Sequence, residues 1–390
     1  ERTTPPRLIM PAALVVAILA CVAGYGIWRL QSTTALDGPR IMVIQTNFPH
    51  LPGGAPSIDR QRSVDLLLRQ IESSISGQPD LVVLPEASLP PINDEARREL
   101  AKSPIGSFLY ETHDRLLAIA SNHQTALLVG GSSVTGWSTH GKEHIGSEIR
   151  NSVYFVDPRP DVPVRRYDKI YLARFSERAP LALGPAWLRS IALRISANRA
   201  TQPLHAGSLS ELQPFLLHWR EPTAATTDMA GDAPAKENSV ERESSFIAPI
   251  CLENIDPAVI ARMLRDPDPL RKRADFIANV SNDGWFAAQE KHQHLQTTIF
   301  RCIENRVPMV RSSNTGISSF IDSCGRVSNP ISPNTSGFAV QSIQFDKRIT
   351  FYTRYGDAFP LACVALVVAA VLRQLMLRIL AFARQTRAPA

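Results

Sequence analysis

The sequence predicts an α/β domain, a sheet covered by helices, held between two apolar segments. Three observations predict it. Short β-branched runs alternate with amphipathic runs of helical period between about residues 40 and 350. Reactive polar residues stand at or just beyond the ends of several strand-like runs. Uncharged segments bracket the whole.

The 390 residues carry 44% hydrophobic and 20% charged side chains, which permits a packed core and excludes wholesale disorder. A net charge of +6 with no long Lys/Arg run in the middle of the chain gives no footing for nucleic-acid binding. The five cysteines lack paired spacing, so neither a disulfide framework nor a zinc site is indicated, and no cofactor is called for.

Leu8 to Trp28 has no charge and is long enough to cross a bilayer core of about 30 Å as a helix. A signal peptide is the rival reading, but no small-x-small cleavage site follows. Residues 359–382 form a second apolar segment, interrupted by Arg373 and Arg378, which can snorkel near a helix end. Arg2 and Arg7 on one side and Arg373, Arg378, Arg384 and Arg387 on the other place both termini in the cytoplasm by the positive-inside rule. Residues 40–350 then lie on the extracytoplasmic side of the cytoplasmic (inner) membrane. The chain opens at Glu1 rather than Met, as expected of a fragment or a processed form.

In order, Arg40–Gln45 reads as a strand and Ser57–Ser73 as a helix with Val64, Leu67, Leu68 and Ile71 on one face. Leu81–Leu84 is a strand ending at Pro85-Glu86, Pro104–Ser121 a helix, and Ala126–Gly130 and Asn151–Val156 strands. The rhythm breaks between about 195 and 243, and the polar part of that stretch suggests an exposed loop or insertion. Ser245–Ile250 then reads as a strand stopping at Cys251, Ala274–Val280 as another, Glu290–Asn305 as a helix, and Met309–Ser313 and Ile317–Ile321 as strands.

Glu86, Lys169 and Cys251 follow strand-like runs. In an open α/β sheet, groups at the carboxyl ends of strands converge on one edge. A thiol can attack a carbonyl to give a thioester, a carboxylate can take and return the proton, and an ammonium can favour the thiolate and stabilise the oxyanion. Taken singly each is weak: an isolated cysteine is more often a small buried hydrophobe, and a lysine beside Asp168 a solvated charge. His292-x-His294 has no evident third metal ligand and reads as two polar helix positions; no metal is expected.

The set LVVLPEASLP, RRYDKIYLARFSE, APICLE, NVSNDGWF and ENRVPMVRSSNTGISSFIDSCGRV resembles the nitrilase (carbon–nitrogen hydrolase) superfamily. The resemblance implies an αββα sandwich, here flanked by transmembrane helices, and a Glu–Lys–Cys triad falling on Glu86, Lys169 and Cys251. VIQTNFP, RSSNTG and Tyr355-Gly-Asp357-x-x-Pro360 before an apolar helix are similar to the apolipoprotein N-acyltransferase branch. That branch implies a phospholipid acyl donor, a diacylglyceryl lipoprotein acceptor at a membrane, supporting roles for Glu177 and Glu253, and further membrane helices ahead of the catalytic domain. Leu252 stands where the family often has an aromatic, and Ser176 where it usually has glycine. Leu252, Trp285 and Phe286 are candidates to line an acyl pocket. A membrane-tethered amidase and an inactive lipid- or protein-binding domain are the alternatives.

Overall fold

The computed structural model describes residues 6–31, 35–48, 57–75, 78–101, 103–140, 143–173, 177, 204–222 and 239–385. Two six-stranded sheets form the centre. The first has the order β12-β1-β2-β3-β4-β5, built from Gly337–Asp346 (β12), Ala35–Gln45 (β1), Leu81–Val83 (β2), Ala126–His140 (β3), Glu143–Val156 (β4) and Arg165–Asp168 (β5). The second has the order β11-β10-β9-β8-β7-β6, from Val327–Ser328 (β11), Ser319–Ile321 (β10), Met309–Ser313 (β9), Phe276–Ser281 (β8), Ser239–Ile247 (β7) and Phe215–Pro222 (β6). Both repeat one pattern: three parallel strands at the centre, one antiparallel strand on one side and two on the other.

Alternation along β1, β2 and β3 explains the layers. Ile41, Val43, Leu81, Val83, Ala126 and Leu128 share a core with Phe215, Phe246, Phe276, Val280 and Met309 of the second sheet. The intervening Met42, Ile44, Val82, Leu84, Leu127 and Val129 pack on Val64, Leu67, Leu68, Ile71, Leu116 and Ile119. Those last residues belong to α2 (Ser57–Ser74) and α4 (Pro104–His123), with the short α3 (Asp94–Glu99) before α4. With both faces buried, these strands read as continuous apolar runs. Helices α5 (Pro257–Leu264) and α6 (Ala288–Asn305) accompany the second sheet, contributing Ile260, Met263, Leu264 and Cys302 to the buried apolar set. The arrangement is an αββα sandwich.

Two expectations change. The stretch 195–243 is not a loop throughout: Phe215–Pro222 forms β6, paired with β7 from Ser239 onward. Its Phe215, Leu217 and Trp219 alternate inward, a signal masked by the polar residues around them. Residues 195–203 and 223–238 lie outside the described part. The strand before the cysteine stops at Ile247, because Pro249 has no N–H for the ladder; Ile250 still bridges Val280. Arg165–Asp168, the strand-like run before Lys169, is an edge strand on β4.

Helix α1 (Pro6–Gln31) and α8 (Ala358–Gln385) flank the sandwich, α8 following the short α7 (Phe351–Tyr355). Met10–Gln31 and Ala358–Leu380 are long and apolar enough to cross a membrane, and their side chains lie exposed on the chain, Leu19 and Leu366 among them.

Candidate active site

Glu86 follows β2, Lys169 follows β5 and Cys251 lies beyond β7, and the fold brings the three together. Lys169 is 1% exposed. Its Nζ donates to Glu177 Oε1 at 2.8 Å and to Glu86 Oε1 at 3.4 Å. The Cys251 thiol lies near enough to the Glu86 carboxyl for each to act on the other's ionisation. Glu86 Oε2 accepts from the Asn282 backbone N–H at 2.7 Å, which ties the first sheet's base to the loop after β8.

Electrostatics assign the resting protonation. Burial pushes the Glu86 carboxyl above its usual range; Lys169 opposes this and Glu177 adds to it. Burial pushes the Cys251 thiol well up, the Glu86 charge pushes it further, and Lys169 only partly offsets them. Burial works against the Lys169 ammonium, yet the charges of Glu86, Cys251 and Glu177 hold its pKa above the ordinary lysine value. The resting thiol is therefore protonated, not the preformed thiolate expected from a neighbouring lysine. One ammonium faces two acids, and its charge favours the ionised form of Glu86 against the pull of burial.

Cys251 takes φ = +49°, a left-handed conformation uncommon outside glycine. It opens a 3₁₀ turn, Cys251–Asn254. Strain of this kind persists where the surroundings over-determine it, and Glu253 does so. Fully buried, its Oε1 accepts from the backbone N–H of Ile170 at 2.7 Å and of Tyr171 at 3.0 Å, and its Oε2 from that of Ile250 at 2.7 Å. The Tyr167 hydroxyl donates to both oxygens. One carboxylate thus clamps the cysteine turn to the chain just after Lys169.

A second buried network backs the turn. Asn254 donates to Asn279 Oδ1 and Thr298 Oγ1, and accepts at Oδ1 from His294 Nε2, 2.9 Å away. On its other side His294 Nδ1 meets Asp283 Oδ1 and Arg311 Nη2, each at 3.0 Å. Burial and Arg311 lower the pKa of His294, while Asp283 works to raise it. His292 is exposed and His294 buried, so the two do not face a common site. Among the described residues no cluster fit to hold a metal ion occurs.

Glu177 lies at the site, as noted, and its Oε2 accepts from the Ala173 N–H at 2.8 Å. Leu252 is half-buried against the inter-sheet core. Phe286 makes an edge contact with His294, ring centroids 5.5 Å apart. The side chain of Trp285 lies outside the described part. Sequence reasoning missed Asn151, whose Nδ2 donates to Glu86 Oε1 at 2.6 Å and to Glu177 Oε1 at 3.0 Å. An asparagine inside a strand with only its own neighbours to judge by gives no signal. It also missed Gly130. A methyl there would lie 2.5 Å from Glu86 Cα and 2.4 Å from Pro85 O, both main-chain atoms. Gly130→Ala is expected to displace Glu86 and cut the rate of Cys251 acylation about 100-fold or more, while far-ultraviolet circular dichroism stays native; an unchanged rate would show that the loop yields without cost.

The carbon–nitrogen hydrolase family profile matches residues 43–351. The chain belongs to that family. Among curated proteins it is similar to the apolipoprotein N-acyltransferases of Geobacter metallireducens, 26% identical over 376 residues, 95% of this chain and 60% of that protein, and of Rhodopseudomonas palustris, 26% identical with 95% and 60% covered. The Bradyrhizobium diazoefficiens apolipoprotein N-acyltransferase is 36% identical over 126 residues, 32% of this chain and 22% of its own. The chain thus spans about 60% of the length of its long matches. Among solved structures, an amidase from Nesterenkonia sp. is 16% identical, with 81% and 95% of the two chains covered and a TM-score of 0.47.

Proposed function

We propose that the chain is the catalytic part of a membrane-bound N-acyltransferase of the apolipoprotein type. The observation that carries this is the buried meeting of Glu86, Lys169 and Cys251, with Lys169 donating to Glu86 and to Glu177. Cys251 Sγ attacks the ester carbonyl of a phospholipid as its proton passes to Glu86. Lys169 stabilises the oxyanion. The C–O bond breaks, Glu86 protonates the departing lysophospholipid alcohol, and a thioester remains. The N-terminal amine of a diacylglyceryl-cysteine lipoprotein then attacks the thioester, forming an amide as the C–S bond breaks. Glu86 takes the amine proton and returns it to the thiolate.

Glu177 and Glu253 serve by position, the one on Lys169 and the other on the cysteine turn. Leu252, Trp285 and Phe286 are assigned to the acyl pocket by their places beside Cys251 and after β8. The exposed apolar side chains of α1 and α8 are matched to a bilayer, because leaving them in water costs about 25 cal/mol per Å². Flanking arginines favour cytoplasmic termini and an extracytoplasmic (periplasmic) sandwich. The phospholipid donor and lipoprotein acceptor are carried over from the activity of the relatives, and intact-mass spectrometry tests them directly. Incubation with phospholipid is expected to add one long acyl chain at Cys251, discharged by a diacylglyceryl peptide much faster than by water. Equal discharge by water would make the protein an amidase-like hydrolase, and no adduct would leave an inactive binding domain.

A further inference from the structure

Asn151 lies on β4, opposite Ser132 of β3, and is nine-tenths buried. Both of its side-chain hydrogen bonds are made by Nδ2, which bridges Glu86 and Glu177. Two carboxylates accepting from one amide nitrogen fix which end of the carboxamide is which, since a carbonyl oxygen there would meet two more acceptors. The Asn151 carbonyl oxygen is then left over. It is buried and has no hydrogen-bond partner among the described residues, a state that folded chains rarely leave without use.

We infer that Asn151 Oδ1 is the acceptor that seats the incoming nucleophile of the second half-reaction, a primary amine N–H, beside the base that deprotonates it. This rests on the acyl-transfer reading. The geometry supplies the logic. Glu86 Oε1 is 2.6 Å from Nδ2 of the same carboxamide, so a nitrogen held at Oδ1 lies within a few ångströms of its proton acceptor. The surroundings hold two carboxylates against one ammonium, which favours an amine over an anion. In the step the amine nitrogen bonds to the thioester carbon, the C–S bond breaks, and the amine proton moves to Glu86 and on to the Cys251 thiolate. The first half-reaction brings an ester with no N–H to seat, so it needs Nδ2, which steadies the carboxylates, but not Oδ1.

Intact-mass spectrometry of the full chain in phospholipid vesicles separates the two roles. Loading of Cys251 is followed first, then discharge against increasing diacylglyceryl peptide with a free N-terminus, and against buffer alone. Asn151→Ala loses both ends of the carboxamide, so loading is expected to slow, and in addition the peptide concentration for half-maximal discharge rises about 10-fold or more, as for one lost hydrogen bond in a buried site. Glu177→Gln, which disturbs Lys169 but leaves Oδ1, is expected to show the first effect without the second: slower loading at an unchanged half-maximal concentration. If Asn151→Ala does not fold, Asn151→Ser, whose hydroxyl is too short to reach, is expected to show the same pair of effects. Equal slowing of both half-reactions at an unchanged half-maximal concentration would overturn the inference and make Asn151 only a brace. So would a loss confined to discharge by water. A natural protein that never loads a long acyl chain would instead refute the acyl-transfer reading, and this inference with it.

Discussion

Glu86→Gln is expected to slow acylation of Cys251 by about 10³- to 10⁴-fold, the upper part of what a positioned general base contributes. The resting thiol makes the demand large. Burial and the nearby Glu86 charge keep Cys251 protonated, so attack needs a base close by, and Glu86 is the carboxyl that acts on the thiol. Glutamine preserves shape and can still accept from Asn282 N–H. Its amide nitrogen would then face the donors Lys169 Nζ and Asn151 Nδ2, both now on Oε1. The variant loses the proton acceptor and gains a donor-against-donor contact.

The pH dependence follows with a definite sign. The active form is the carboxylate, and burial raises the Glu86 pKa. Acylation by the natural protein is therefore expected to fall off on the acid side at a pH above the ordinary glutamate value of about 4.3. Single-turnover loading across pH, read by intact mass, checks both points. A Glu86→Gln rate within 10-fold of the natural one would remove Glu86 from the role of base.

What the sequence disclosed was the part written in local chemistry. Short continuous apolar runs located β1, β2, β3, β8 and β9, because strands buried on both faces must be apolar along their length. Glu86, Lys169 and Cys251 were visible because each sits where a strand runs out. The hidden parts depend on pairing across long separations. Glu253 was expected to support the site, but only the fold shows how, by accepting from Tyr167, Ile170 and Tyr171, more than 80 positions away. His294 read as a polar helix position, and only the fold shows that its partners Asp283, Asn254 and Arg311 come from three other elements. Asn151 and Gly130 owe their importance to atoms that approach them from Glu86. The hairpin strand β6 was lost for the opposite reason: its inward Phe215, Leu217 and Trp219 are diluted by polar residues that face out at a sheet edge.

Lys169→Met is expected to be as damaging as loss of the base, through the base. Lys169 is the ammonium bonded to both Glu86 and Glu177, at 3.4 and 2.8 Å, and is almost wholly buried. Methionine fills much of the same volume without charge. Two carboxylates then share the Asn151 amide with no cation between them, and like charges in a buried site raise the cost of ionising either. The Glu86 pKa, already raised, rises further. The carboxylate fraction at neutral pH falls, and the acid limb of the loading profile shifts to higher pH. A loss of about 10³-fold or more at pH 7 is expected, with partial recovery as the pH is raised; the part that does not recover measures lost oxyanion stabilisation, about 10²- to 10³-fold for one donor. Breaking a buried ion pair also costs about 3–5 kcal/mol of stability, so thermal melting is measured alongside to confirm that the variant is folded. Adding Glu177→Gln to Lys169→Met provides the decisive contrast. Removing one of the two opposed carboxylates returns the acid limb toward its natural position, although each substitution alone impairs loading. A limb that stays in place in Lys169→Met, or a double variant with no recovery, would show that Lys169 acts on the oxyanion alone and leaves Glu86 to be ionised by other groups.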